Sequence, residues 1–274
     1  MNYKFFLAIS TAMSFVVFNP PVFSHSNSSF PATTVTKQNN AEMASTLPFD
    51  DKSDFDDAKR GLIARPDSLI IRDDKGKVIL DLDSYRKFIT DKTPAPDTVN
   101  PSLWRNAQLN MEYGLYKVSD HIYQVRGYDL ANVTFIAGNT GWIVLDPATS
   151  TESAKAAYDL VSKHLGKKPI VSVIYSHSHV DHYGGVRGIV NEDDVKAGKV
   201  QIIAPEGFME QAASEKVIAG NAMSRRAVYM FGTVLPRTPQ GHVGSGLSLA
   251  SVAGTVTLIP PTRTIKLTGE KNDG

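Results

Sequence analysis

The sequence predicts an α/β fold built around a buried central strand, and three observations carry that expectation. After Pro101, short β-rich runs alternate with stretches of helical spacing. Pro169 to Ser176 is a nearly continuous apolar run, the pattern of a strand covered on both faces. Of the 274 residues 42 % are apolar, enough for a substantial core.

In chain order, Met1 to Ser24 carries Lys4, an apolar run from Phe5 to Phe18, a Pro20-Pro21 break and a Val22-Phe23-Ser24 end. Residues 1–24 are therefore expected to be a secretory signal peptide, which places the protein in the periplasm or outside the cell. The apolar run is shorter than the roughly 18 residues of a spanning helix, so no membrane span is expected once the leader is removed. Residues 25–48, rich in Ser, Thr, Asn and Ala, are expected to form a flexible linker. Within an N-terminal extension over 49–100, Asp50, Asp51, Asp54, Asp56 and Asp57 precede a helix expected over Ala58 to Ala64, since acids favour a first turn. They lack the central glycine and closing glutamate of a calcium loop. Leu69–Arg72 and Lys77–Leu82 flank Asp73-Asp74-Lys75-Gly76 as a short hairpin.

Residues 101–274 form the next expected domain. Tyr123–Val125, Val133–Ala137 and Trp142–Leu145 read as strands of a meander, the last two joined by Gly138-Asn139-Thr140-Gly141. Ala157, Leu160, Val161 and Leu165 space a helix over Ser153–Leu165, closed by Gly166. Val200–Ala204 is a further strand, and Met209–Phe231 reads as helical with an interruption near Gly220-Asn221.

Composition narrows the chemistry. With 29 basic against 28 acidic residues and no basic stripe, no nucleic-acid partner is expected. The absence of cysteine excludes disulfides, thiolate zinc ligands and thiol nucleophiles. Any metal must rest on histidine and carboxylate.

Such donors are concentrated directly after the buried strand, where three of the seven histidines and one aspartate fall within six positions: His177, His179, Asp181 and His182. Extended backbone sends alternate side chains to one side, so His177 and His179 can grip one ion. A helical turn near Asp181 would carry Asp181 and His182 to an adjacent position, while Gly184-Gly185 permits close passage of backbone. Imidazole and carboxylate suit zinc at about 2.0–2.2 Å, and iron or manganese accept the same set.

His-x-His-x-Asp-His after a strand resembles the signature of the metallo-β-lactamase superfamily, whose fold is an αββα sandwich with metal at one edge. Further stretches are similar to the linear alkylsulfatases of that superfamily, secreted enzymes that desulfate dodecyl sulfate. They are Val99–Trp104, Tyr123–Leu130, Gly141–Pro147, the metal loop through Gly188, and Ala219–Ala227. The resemblance implies two zinc ions, His177 and His179 on the first, Asp181 and His182 on the second, with Asp146 supporting the loop. It implies hydrolysis of an alkyl sulfate substrate and a homodimer in the intact family. It also implies further acidic ligands and a histidine beyond Gly274. On that expectation 101–274 is a C-terminally truncated, partial domain holding the N-terminal half of the sandwich.

Other candidates are expected to lie outside the site. His242 sits in a glycine-rich stretch where the family places no ligand. Glu206, Glu210 and Glu215 read as surface positions on a helix, and His25, His121 and His164 as solvated. Asn221, Arg225 and Arg226 are left outside as well. Another hydrolase of the superfamily, a lactamase or thioesterase, and a non-catalytic chain that binds metal weakly are the alternatives.

Overall fold

The computed structural model describes residues 30–266; the expected leader, with 25–29 and the last eight residues, lies outside them. No described helix is long and apolar enough to cross a membrane. The chain runs through α1 (Thr34–Thr46), α2 (Ser53–Lys59), β1 (Leu62–Ala64), β2 (Ile70–Arg72), β3 (Val78–Asp81), α3 (Asp83–Arg86) and α4 (Pro101–Asn110). It continues through β4 (Gly114–Lys117), β5 (Ile122–Arg126), β6 (Val133–Ala137), β7 (Trp142–Leu145), α5 (Thr151–Leu165) and β8 (Ile170–Ile174). After β8 come α6 (Glu192–Lys196), β9 (Gln201–Pro205), α7 (Phe208–Ala213), α8 (Gly220–Phe231) and β10 (Arg263–Ile265).

One mixed sheet of eight strands, in the order β1-β4-β5-β6-β7-β8-β9-β10, organises the domain, as the α/β expectation requires. It is antiparallel from β1 through β7, the predicted meander included, and parallel from β7 through β10. The change of sense follows from α5, whose crossover returns the chain beside β7 in the same direction. Ser150 caps that helix by accepting from the Ser153 N–H, and Ala154, Ala157 and Val161 bury its inner face. Val144, Val173 and Ile202, one from each of three neighbouring strands, are fully buried together. β2 and β3 form the predicted hairpin as a separate two-stranded sheet.

Two expectations for the N-terminal region are corrected. The flexible linker over 25–48 is helical over Thr34–Thr46, where Thr33 caps the first turn by accepting from the Thr36 N–H. Nothing in α1 is buried, so its composition does preclude a core. Asn40 donates to the Asp97 carbonyl and Lys37 pairs with the Asp97 carboxylate, which ties the helix down by polar contacts instead. The helix expected over Ala58–Ala64 lies earlier, over Ser53–Lys59, with Asp54 and Asp56 inside its first turn. Arg60 leaves it in extended backbone, Gly61 follows at φ 77° where a Cβ would collide with the Lys117 carbonyl, and Leu62–Ala64 then pairs with β4.

Candidate metal centre

The histidine-rich loop leaves the carboxyl end of β8, next to the carboxyl end of β7, where side chains and backbone dipoles of parallel strands converge. A single 3₁₀ turn, Val180–His182, takes the place of the helix expected near Asp181. It suffices to fold the loop on itself. The His177 ring stands 4.6 Å from that of His179 and 4.0 Å from that of His182, so the three imidazoles form one cluster.

Asp146, at the end of β7, is the hub of this cluster. Its backbone has φ 57° and that of Ala148 has φ 62°, left-handed conformations that cost a non-glycine residue about 1 kcal/mol or more. The turn they make points the carboxylate under the loop. Oδ1 accepts the Ser176 N–H at 2.8 Å, and Oδ2 accepts the Ser176 hydroxyl at 2.7 Å and pairs with His182 Nδ1 at 2.9 Å. The loop is thus fastened at both ends by one side chain. On the other face of the turn, Gly184 and Gly185 pack so closely that a Cβ on either would strike the carbonyl of Thr149 or of Pro147.

Electrostatics follow from these contacts. His182 Nε2 lies 3.1 Å from an Asp181 carboxylate oxygen, so the imidazole stands between two acids. Burial alone would lower its pKa, but hydrogen bonds and charge from Asp146 and Asp181 outweigh it and hold the group up at about 9. The same pair keeps Asp181 below the usual carboxylate range although burial opposes it. Burial and then the neighbouring histidines depress the pKa of His177.

Asp129 braces the turn from below. Its buried carboxylate accepts the Thr149 N–H at 3.0 Å, the Thr149 hydroxyl at 2.6 Å and the Leu130 N–H at 2.6 Å. Burial pushes its pKa up to about 6 despite those hydrogen bonds. The folded state therefore holds this proton more tightly than the unfolded chain, whose group titrates near 3.8. Its contribution to stability is complete below about pH 4 and is lost as pH rises through about 6, a change on the order of 3 kcal/mol. Asp129→Asn removes that dependence. Denaturant titrations should find the stability advantage of the native chain over this variant shrinking between pH 4 and 7; a constant difference would contradict the assignment.

All four predicted donors are therefore together, and by kind they fit a divalent ion: three imidazoles and a carboxylate, without sulfur. Ser176 Oγ engages His177 Nδ1 at 2.9 Å and Asp146 engages His182 Nδ1, while His182 Nε2 lies against Asp181, the donor beside it in the loop. Among the described residues no group of three His, Asp or Glu side chains closes around a single point.

The remaining candidates separate clearly. His242 is buried against the N-terminal extension, its Nδ1 2.7 Å from the Tyr85 hydroxyl, and belongs to that contact. His121, His164, Glu206, Glu210, Asn221, Arg225 and Arg226 are exposed, as expected. Glu215 differs from the expectation of a surface position. Its carboxylate lies 3.9 Å from His179 Nε2 and its side chain is only 22 % exposed. No spacing rule would have found it, because the interruption expected near Gly220-Asn221 lies earlier, as a π-helical turn over Ser214–Ile218 that shifts the helical register, and Gly220 and Asn221 begin α8.

Comparison with known proteins identifies the family. Residues 126–266 match the metallo-beta-lactamase superfamily. A linear primary-alkylsulfatase from Pseudomonas sp. is 56 % identical over 240 residues, covering 88 % of this chain and 36 % of that protein. The alkyl/aryl-sulfatase BDS1 of Saccharomyces cerevisiae is 52 % identical over 228 residues, 83 % of this chain and 35 % of that one. The solved structure of the stereoselective inverting sec-alkylsulfatase Pisa1 from Pseudomonas sp. superposes with a TM-score of 0.82 at 48 % identity, over 88 % of this chain and 37 % of that chain. The chain thus spans little more than a third of the length of these relatives.

Proposed function

The chain belongs to the metallo-β-lactamase superfamily, and from that premise we propose that it contributes a two-zinc site for hydrolysis of linear alkyl sulfate esters to alcohol and sulfate. His177 and His179 would hold one ion, Asp181 and His182 the other. Two bound zinc ions supply a water acidified to near-neutral pKa and positive charge for the sulfate oxygens. The protein's part is to present the donors. Asp146 fixes the His182 ring through Nδ1 and Ser176 fixes the His177 ring through Nδ1, so Nε2 would be the coordinating nitrogen of each, that of His182 exchanging its contact with Asp181 for the shared ion. Each zinc ion takes about four neighbours, so two donors per ion leave room for water, for sulfate oxygen and for ligands from elsewhere.

The observation that carries this proposal is the likeness to alkylsulfatases, 56 % identity sustained over 240 residues that run well beyond the metal loop. A signature confined to the loop would support only the superfamily. A leader such as residues 1–24 suits an enzyme acting in the periplasm or outside the cell.

A chimera tests the proposal. This chain replaces the corresponding segment of the Pseudomonas linear primary-alkylsulfatase, and sulfate release from dodecyl sulfate is measured with zinc present. Sulfate release is expected, and its loss when His177, His179, Asp181 and His182 are replaced by alanine. A chimera that folds and opens a β-lactam ring or cleaves a thioester without releasing sulfate would assign the chain to another hydrolase.

A further inference from the structure

We propose that Glu215 is a positioning residue for the metal loop, holding the His179 imidazole through Nε2 so that Nδ1 is the nitrogen offered to an ion. The proposal rests on the reading of the loop as a metal site.

The first observation is an inversion of polarity in the π-helical turn Ser214–Ile218. Val217 and Ile218 are 82 % and 83 % exposed, while the one carboxylate of the turn is tucked inward with 22 % of its side chain exposed. Apolar groups outside and an acid inside is the costly arrangement, since turning the two aliphatic side chains inward would gain roughly 1.5–3 kcal/mol each. A regular α-helix would not produce it. The extra residue in a π turn rotates the following side chains out of register, and such turns recur at functional sites because they re-aim one group.

The second observation is what the acid faces. Glu215 Oε1 is 3.9 Å from His179 Nε2, and among the described residues this histidine is its ion-pair partner. A separation of 3.9 Å is longer than a hydrogen bond and closes to one with a shift of about 1 Å. His177 and His182 each have Nδ1 engaged by a residue that also holds the loop. His179, 61 % exposed, has no such partner from the loop itself. Glu215 provides it from a different element, on the opposite ring nitrogen. A carboxylate on the second nitrogen of a ligating histidine fixes the tautomer and ring orientation and strengthens the donor.

Zinc binding to the purified full chain tests this by competition with a chromophoric chelator, and cobalt(II) reports the ligand set by its ligand-field bands. Glu215→Ala is expected to weaken zinc affinity by about 10–100-fold, with Glu215→Gln intermediate and Glu210→Ala, on exposed α7, unchanged. The thermal midpoint of the metal-free protein should be the same in all four chains, and the cobalt bands of Glu215→Ala should stay at the wild-type wavelengths. Undiminished affinity in Glu215→Ala overturns the proposal while the metal site stands. Shifted bands would make Glu215 a direct ligand and overturn it as stated. Failure of the wild-type chain to take up zinc would overturn the metal site, and this inference with it.

Discussion

Asp146→Ala is expected to weaken zinc uptake by about 10–100-fold and to cost the metal-free protein about 3 kcal/mol of stability. Both effects follow from the three contacts of one carboxylate. Its removal leaves the Ser176 N–H unpartnered at the start of the loop, takes one of the two partners of the Ser176 hydroxyl, and frees His182 Nδ1 at its end. It also leaves a positive φ at position 146 without the polar side chain that tolerates it. Asp146→Asn separates the terms. Asparagine tolerates the left-handed backbone and can still accept from Ser176, but it lacks the charge that holds the His182 imidazole. Most of the stability should return while zinc affinity remains low. Chemical denaturation and chelator competition on the two variants measure the two quantities; equal zinc affinity in Asp146→Asn and wild type would contradict the role given to the carboxylate.

The second large effect distinguishes the two halves of the donor set. On the proposed assignment His177→Ala with His179→Ala would remove both donors of one ion, and zinc at that site should weaken on the order of 100-fold or more. Because both histidines are exposed, the metal-free protein should keep its thermal midpoint. Asp181→Ala with His182→Ala should remove the other ion and also destabilise the protein, since these side chains are 17 % and 21 % exposed and pair with each other and with Asp146. Loss of both ions in either double variant would show a single shared site.

These contrasts reflect how far each part of the site could be read along the chain. His177, His179, Asp181 and His182 are legible because their relation is local: six consecutive positions and a single turn bring them together whatever surrounds them. Asp146 is legible one step further out, since it ends a strand whose neighbour begins the loop. Glu215 is not. Its approach to His179 depends on a π turn, and helical spacing counted at 3.6 residues places it on the surface. The burial of His242 against Tyr85, 157 residues away, is equally invisible to local pattern. The N-terminal region shows the converse limit. Thr34–Thr46 lacks the apolar face that announces a helix, and its order comes from a cap and from Asp97. The sheet itself was readable strand by strand from β5 to β9, because alternation and apolar runs are imposed by burial on one or both faces. The pairing of β1 with β4 was not, since Leu62–Ala64 is exposed or half-buried and carries no such pattern.

The central claim is that this one loop gathers divalent zinc, and X-ray absorption at the zinc edge of the loaded 274-residue chain tests it most directly. A nitrogen and oxygen shell at about 2.0–2.2 Å with imidazole scattering beyond it is expected, lost when His177, His179, Asp181 and His182 are all replaced by alanine. Zinc retained in the same amount and with the same shell after those four replacements would contradict it.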